Sequence, residues 1–179
     1  GVKIDCEQVD IGTHITNSGA DYYSINPKGN VPCLVLDDGT VLNEGAAVLQ
    51  YIADQAPGTV AAENGTSERY LIQNALNYVA SEVHASFGPL FGPLSEEAKA
   101  AQINLLGKDV RVAVKDGEMS VPGLFLVGGK FSIADSYLYI VLSWPQYVGV
   151  DMGGYPLLQA YSAGIAALPK VVAAHALMA

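Results

Sequence analysis

Residues 24–45 combine the groups that a protein needs to hold an extended peptide. The segment reads Ser-Ile-Asn-Pro-Lys-Gly-Asn-Val-Pro over residues 24–32 and continues as an apolar run to Leu36. Pro32 has no N–H to give to a sheet, so the N–H and C=O of Val31 can stay free for an outside ligand. An ordinary strand edge interrupted by proline is the alternative. The pattern favours an edge on which a peptide can dock.

An acidic residue opens the helix that follows this edge. The sequence Leu-Asn-Glu-Gly at residues 42–45 precedes an apolar helical pattern, which places Glu44 and Gly45 in the first turn. The exposed N–H groups and the dipole of a helix start attract a carboxylate. Glu44 taken alone is more simply a favourable charge at a helix start. Its assignment to a site therefore depends on the preceding motif.

A polar stripe follows the helix that the pattern predicts from Glu68 to Phe87. Its members recur every three or four residues and so share one face: Tyr70, Asn74, Asn77, Ser81 and His84. The apolar side of the same helix carries Leu71, Ile72, Ala75, Leu76, Val79 and Val83. Such a stripe is usually a solvated surface. This one has no Lys or Arg and ends near Phe87 and Phe91, which favours a wet interface or a cleft.

The elements that must position these groups fall into two predicted domains, residues 1–57 and 66–179. The first contains a strand at Ile4–Ile11, a short element at 22–24, a hairpin of Val31–Leu36 and Thr40–Leu42 around Asp38-Gly39, and a helix at Glu44–Gln55. The stretch from Pro57 to Ser67 is polar and without period, so we place the linker there. The first domain is therefore of the α/β class.

The second domain is predicted to be all-helical. Its helices cover Glu68–Phe87, Ser95 to about Lys115, Ser132–Trp144, Pro156–Leu168 and a tail from Pro169. Ser132 and Asp135 have the spacing of a capping box. The helix that they start is apolar nearly all round, through Ile133, Tyr137, Leu138, Ile140, Val141 and Trp144. We expect it to be the buried centre of this domain.

Composition excludes several classes of function. The 179 residues are 50% hydrophobic and carry 18 acidic against 9 basic side chains without a basic cluster, which disfavours nucleic acid as a partner. No run reaches the ~18 uncharged apolar residues of a membrane span, and no secretion signal opens the chain, so we expect no membrane association and a cytoplasmic location. Cys6 and Cys33 lie in strand-like segments, which predicts buried free thiols without a disulfide or metal.

Three features together resemble the glutathione S-transferases, most of all the bacterial beta class. They are the Asn-Pro-Lys-Gly-x-Val-Pro run at 26–32, the acidic helix start at Glu44, and Phe-Ser-Ile-Ala-Asp at 131–135. The resemblance extends from about Ile4 to Lys170. It implies a thioredoxin-like domain followed by an all-helical domain, a homodimer, and a detoxifying transferase that joins the thiolate of glutathione to hydrophobic electrophiles. A non-catalytic ligand-binding or interaction protein on the same scaffold is the alternative.

The resemblance also implies roles for residues of the first domain, with glutathione as co-substrate and no bound cofactor or metal. The Val31–Pro32 bond would be cis, with the backbone of Val31 paired to the cysteinyl part of glutathione. Glu44 would take the γ-glutamyl ammonium and Gly45, where the family often has Ser, could offer only its N–H to the carboxylate. His14 stands where the beta class often has a Lys that binds the glycine carboxylate. A solvent-exposed loop histidine is the alternative.

In the second domain the resemblance implies that Asn77, Ser81 and His84 line the glutathione site and the dimer cleft. His84 would lie close to the thiol and is the one catalytic candidate. Phe87, Phe91 and Trp144 would wall the electrophile pocket, with core packing as the alternative. The family's thiol-activating Cys, Ser or Tyr follows a first strand that has no counterpart here. We therefore expect the natural protein to start about 20 residues before Gly1, by the mean lengths of a strand and a helix.

Overall fold

The computed structural model describes residues 2–113 and 125–178. The chain divides into two compact units, Gly1–Ala61 and Ala62–Ala179. The first unit is α/β and the second is helical.

The first unit is built from two antiparallel hairpins and one helix. Strand β1 (Val9–Asp10) pairs with β2 (Ile15–Thr16), and β3 (Leu34–Val35) pairs with β4 (Val41–Leu42). Helix α1 covers Gly45–Asp54, and a short 3₁₀ turn covers Tyr22–Ser24. The turn between β3 and β4 is closed by the Gly39 N–H on Leu36 O at 2.9 Å. The predicted hairpin around Asp38-Gly39 is confirmed, although its strands are shorter than predicted.

The predicted strand at Ile4–Ile11 is wrong over most of its length. Only Val9–Asp10 is a strand, because residues 4–7 make no backbone hydrogen bond to a strand among those that the structure describes, and a β-conformation is stable only in a ladder. Cys6 is consequently exposed rather than buried, and Cys33 is half-buried. Both are free thiols, as predicted.

The second unit is a set of helices. In chain order it contains α2 (Ser67–Tyr78), a π-helical turn (Val79–His84), α3 (Ala85–Phe87), a 3₁₀ turn (Gly88–Phe91), α4 (Glu96–Ala113), α5 (Ile133–Val141), α6 (Pro145–Val148), α7 (Pro156–Ala166) and α8 (Pro169–Met178). The predicted end near Lys115 lies outside the described residues. Within the described ranges no single helix is long and apolar enough to cross a membrane, and the bent pair α7 and α8 passes by length and composition only.

Two predicted helices differ from the observed ones. The helix predicted at Glu68–Phe87 is interrupted by the π-helical turn Val79–His84, which a hydrophobic period of 3.6 does not signal. The helix predicted at Ser132–Trp144 ends at Val141, and a new short helix starts at Pro145. The reason is that Pro145 cannot donate to the carbonyl four residues earlier but fits a first helical position.

The core of the second unit forms where α5 packs on α2 and the π-helical turn. Its buried members include Leu76, Val79, Val83, Leu106, Leu138, Val141, Tyr161 and Ile165. Two apolar residues that we expected on the buried side of their helices are exposed: Leu71 of α2 is 58% exposed and Ile140 of α5 is 43% exposed. Each lies one position from a buried residue, which is about 100° around a helix, so each falls at the margin of the buried face.

A buried carboxylate joins the start of α5 to two other parts of this unit. Asp135 is fully buried, and its Oδ2 accepts from both the N–H and the hydroxyl of Ser132 at 2.8 Å. Its Oδ1 accepts from the N–H of Leu126 at 2.8 Å and from the hydroxyl of Tyr161 at 3.0 Å. Burial raises the pKa of Asp135, and these hydrogen bonds oppose the rise. The predicted capping box is confirmed. Its Asp135 side chain also bonds to residues outside the start of α5.

We expect Asp135→Ala to destabilise the protein by at least about 3 kcal/mol, because it leaves the donors of Leu126, Ser132 and Tyr161 buried and unpaired, each at about 1–3 kcal/mol. Ser132→Ala should cost only about 1 kcal/mol, the loss of a cap. Denaturant titration measures both free energies of unfolding. Equal losses in the two variants would show that the bonds to Leu126 and Tyr161 contribute nothing.

Candidate functional site

A buried amide braces the loop that precedes β3. Asn26 is fully buried, with 0% of its surface exposed, and its Nδ2 donates to Asn30 O at 2.7 Å. Its Oδ1 accepts from the N–H of Lys28 at 3.2 Å and from Asn43 Nδ2 at 2.9 Å. The hydroxyl of Tyr22 also donates to Asn30 O, at 2.7 Å. Because Asn43 lies just before α1, this network fixes the loop against the start of that helix.

The braced loop presents an open backbone edge. The Val31–Pro32 peptide bond is cis, as the resemblance implied. Val31 is 43% exposed, and Pro32 is exposed as well. No group among the described residues hydrogen-bonds to the backbone of Val31. The edge predicted from the proline is therefore available to a ligand.

Glu44 is already engaged by a neighbouring cation. It is the N-cap residue of α1, but its side chain makes no cap hydrogen bond. Its Oε1 lies 2.7 Å from Lys28 Nζ, and the two side chains are 67% and 54% exposed. An exposed ion pair contributes about 0–1 kcal/mol, so a ligand ammonium can replace Lys28 at little cost. The first-turn N–H of Gly45 has no partner within the helix.

His14 packs beside the same loop. Its backbone has φ 58°, and its ring stacks on Tyr23 with a centroid distance of 4.4 Å and an angle of 20°. A Cβ at Gly29 would lie 2.7 Å from the Tyr23 ring and 2.9 Å from His14 Nε2, so only glycine fits there. The ring of His14 is thus half-buried and held against the loop rather than free in solvent.

In the second unit His84 lies at the end of the π-helical turn and is half-buried. Its Nδ1 is 2.7 Å from the hydroxyl of Tyr137. The rings of His84 and Trp144 are nearly perpendicular, with a centroid distance of 4.8 Å and an angle of 87°. Burial lowers the pKa of His84, so the imidazole is neutral at pH 7. A neutral imidazole offers one donor and one acceptor nitrogen, which suits exchange of a proton with a bound group.

Aromatic side chains surround His84. Trp144 also contacts Phe87 and Phe91, each at a centroid distance of 5.7 Å. Phe91 is 56% exposed and Trp144 is half-buried, whereas Phe87 is 0% exposed. Phe87 therefore packs in the core, which was the alternative for it. We call His84, Phe91, Tyr137 and Trp144 the aromatic patch.

Tyr137 is the member of the aromatic patch that sequence reasoning missed as a site residue. It lies seven positions before Trp144, about two helical turns, and that spacing was its one signal. Asn77 and Ser81 are exposed, and the Ser81 hydroxyl donates to Glu82 Oε1 at 3.2 Å. Neither is hydrogen-bonded to the aromatic patch. The described residues hold no cluster of His, Cys, Asp or Glu suited to a metal ion.

Comparison with known proteins gives consistent matches over both units. The family described as Glutathione S-transferase, N-terminal domain, matches residues 1–55, and the corresponding C-terminal domain matches residues 78–169. The chain is 39% identical to glutathione S-transferase GstA of Escherichia coli O157:H7, over 91% of this chain and 81% of that protein. It is 34% identical to glutathione S-transferase GST-4.5 of Xanthomonas campestris, over 82% and 74%.

Solved structures agree with these matches. The ternary complex of BphK, a bacterial GST, has a TM-score of 0.88 and 41% identity, over 97% of this chain and 86% of that one. The bacterial beta class enzyme of Sphingomonas chungbukensis has a TM-score of 0.85 and 40% identity over the same shares. A sphingomonad glutathione S-transferase complexed with glutathione has a TM-score of 0.82 and 42% identity, over 94% and 83%.

Because burial lowers the pKa of His84, the unfolded chain takes up a proton at this residue more readily than the folded one as pH falls through about 6.5. We therefore expect part of the loss of stability between pH 7.5 and pH 5 to disappear in His84→Gln. Proton NMR of the imidazole measures the pKa directly, with His84→Gln assigning the resonance. A midpoint at or above that of a free histidine would contradict the burial argument.

Proposed function

The chain belongs to the glutathione S-transferase family and is a glutathione transferase, and we propose that the groups at residues 26–45 hold its glutathione. The chemistry is attack of the glutathione thiolate on an electrophilic centre of a hydrophobic co-substrate. A protein promotes such a step by favouring the thiolate and by orienting both reactants. No metal or bound redox cofactor is part of this proposal.

The observation that carries the proposal is that the open backbone of Val31 and the carboxylate of Glu44 each follow directly on a residue of the Asn26 network, Asn30 and Asn43, which are joined to Asn26 by hydrogen bonds. A tripeptide offers backbone groups at its centre, which can pair with Val31 as an added strand does. Its γ-glutamyl end carries one ammonium and one carboxylate. Glu44 is suited to the first group and the N–H of Gly45 to the second.

His14 is proposed to bind the glycine carboxylate at the other end of the tripeptide. Its ring is held by Tyr23 and Gly29 on the loop that also carries the Val31 edge. A fixed ring loses little side-chain entropy when it takes a hydrogen bond. A ring nitrogen of His offers a single donor, whereas the ammonium of Lys offers three, so the contact is weaker than one from Lys would be.

The aromatic patch is proposed to bind the electrophile and to assist the thiol. Phe91 and Trp144 offer exposed ring surface to an apolar group. His84, neutral and hydrogen-bonded to Tyr137, is suited to position or polarise the thiol. Asn77 of α2 and Ser81 of the π-helical turn are proposed as further polar contacts to the ligand.

We also propose a homodimer, a cytoplasmic location and a role in detoxification. The homodimer is supported by the outer face of α2, where Tyr70 is 62% and Leu71 58% exposed next to the uncharged stripe of Asn74 and Asn77. An exposed apolar pair with polar neighbours is typical of a surface that a partner covers. With 18 acidic against 9 basic residues, nucleic acid is not expected as a partner.

The Lys28 and Glu44 pair gives a matched test of the glutathione site. Glu44→Gln should weaken glutathione binding by at least about 1.5 kcal/mol, more than tenfold, because the ammonium loses its charged partner. Lys28→Gln removes the same ion pair but leaves the carboxylate, so it should bind as tightly as the parent or more tightly. Titration calorimetry measures both. If Glu44→Gln and the parent bind glutathione with equal affinity, Glu44 does not contact the ligand.

A modified ligand tests His14. Esterifying the glycine carboxylate of glutathione should weaken binding to the parent about two- to fivefold, the size of one exposed charged contact. His14→Gln should bind glutathione and its glycine ethyl ester nearly alike, since the group that distinguishes them is gone. Competition against a fluorescent glutathione analogue measures the affinities. If the variant distinguishes the two ligands as strongly as the parent does, His14 does not bind this carboxylate.

A further inference from the structure

The hydrogen bond between Tyr137 and His84 decides which nitrogen of the imidazole carries its proton. Nδ1 of His84 lies 2.7 Å from the Tyr137 hydroxyl, and either group can be the donor in such a pair. Nε2 of His84 makes no hydrogen bond to a described residue. The direction of the bond at Nδ1 therefore determines what Nε2 offers to a ligand, because a neutral imidazole has one donor and one acceptor nitrogen.

The chemistry of the two groups favours donation by the tyrosine. A phenol loses its proton at about pH 10, whereas the N–H of a neutral imidazole is a far weaker acid. The other imidazole nitrogen takes up a proton at about pH 6.5 and is a far stronger base than a phenol oxygen. Because the stronger acid donates to the stronger base, the hydroxyl of Tyr137 donates to Nδ1. The proton of the His84 ring then lies on Nε2.

Packing holds both rings in the orientation that this bond needs. Tyr137 is half-buried on α5, two residues after Asp135, whose buried carboxylate fixes the start of that helix. His84 is the last residue of the π-helical turn, which packs on α5. The planes of the two rings are at 88°, with a centroid distance of 5.7 Å, and the ring of Trp144 lies 4.8 Å from that of His84. A flip of the imidazole would break the bond to Tyr137 and disturb the packing on Trp144.

We propose that Tyr137 is a positioning residue for the thiol chemistry: by donating to Nδ1, it keeps the proton of His84 on Nε2 and makes that nitrogen a fixed donor. This inference rests on the proposed function, in which His84 lies beside the glutathione thiol. A fixed N–H stabilises the thiolate more than the thiol, because a hydrogen bond to a charged acceptor is stronger. When the S–H bond breaks, the electron pair stays on sulfur and the proton leaves to water. His84 thus favours the thiolate as a donor and is not the base that takes up its proton.

The ionisation of bound glutathione tests this inference in the full-length protein. The difference in ultraviolet absorption between the glutathione and S-methylglutathione complexes reports the thiolate as a function of pH. Tyr137→Phe keeps the ring and removes the hydroxyl, so it should lower the ionisation constant of the bound thiol about fivefold, the size of one hydrogen bond. It should lower kcat by a similar factor and leave KM for glutathione unchanged, as expected for an interaction with the developing charge.

The other tyrosine of α5 provides a matched control. Tyr139→Phe removes a hydrogen bond of 2.9 Å from the same helix, but this bond goes to His175 rather than to His84. It should therefore leave the ionisation of bound glutathione unchanged. Thermal melts establish that both variants are folded. An equal effect of the two substitutions would show that Tyr137 acts only through the stability of α5, which overturns the inference.

Substitutions of His84 distinguish a donor from a base. His84→Gln offers an amide donor and no base, so it should keep more of the thiol ionisation than His84→Leu, which offers neither. In the His84→Leu background, Tyr137→Phe should have no further effect on the thiol, because it acts only through His84. If His84→Gln is as impaired as His84→Leu, or if Tyr137→Phe has its full effect without His84, the inference is wrong.

Nitrogen-15 NMR of the His84 ring locates the proton without reference to activity. The proton should lie on Nε2 in the parent, and Tyr137→Phe should show a mixture of the two tautomers. A proton on Nδ1 in the parent would overturn the inference.

A failure of the proposed role of His84 has a different signature. If His84→Leu leaves the ionisation of bound glutathione unchanged, His84 does not act on the thiol, and the inference fails together with that role. If His84→Leu weakens the ionisation and Tyr137→Phe does not, His84 keeps its role and the inference alone is overturned.

Discussion

Each unit is organised around one buried polar side chain whose hydrogen bonds cannot be removed without leaving unpaired groups. In the first unit this is Asn26, which holds the loop at 26–30 to the start of α1. In the second it is Asp135, which ties Leu126 and Tyr161 to the start of α5. Burying such a group unpaired costs more than its net bond contributes. Every alternative conformation that breaks these hydrogen bonds is higher in free energy, so these two residues specify one arrangement of the segments around them.

The groups proposed to meet ligands are held more loosely than the groups that position them. Val31 lies next to the buried network, yet its own backbone is open. Glu44 is paired only with Lys28, in a contact that solvent weakens. The network therefore fixes the backbone at Asn43, next to Glu44, while the carboxylate itself is held only by an ion pair that a ligand can replace. A rigid loop whose ligand-binding groups are only weakly paired suits the binding and release of a ligand, because preorganisation lowers the entropy lost on binding.

Features with a local cause were predictable from sequence, and those that depend on distant residues were not. The Asp38-Gly39 turn, the Ser132 and Asp135 cap and the apolar stripe of α2 each follow from neighbouring residues. The partners Lys28 and Glu44 are 16 positions apart in sequence, and Tyr137 and His84 are 53 apart. The periodicity of a helix or a strand therefore predicts neither contact. Residues 4–7 do not form the predicted strand because alternation of polar and apolar residues indicates only a tendency, whereas a strand also needs a partner strand.

Helix α5 illustrates how one short element serves separate surfaces. Tyr137 turns towards His84, and Tyr139 towards His175, while Leu138 and Val141 lie in the core between these directions. A helix of nine residues, Ile133–Val141, has little freedom to bend, and its start is locked by Asp135. A rotation that improved one tyrosine contact would therefore worsen the other and expose Leu138. Close packing opposes such a rotation. It follows that both tyrosine contacts stabilise the same orientation of α5, so each supports the geometry of the other although they do not touch.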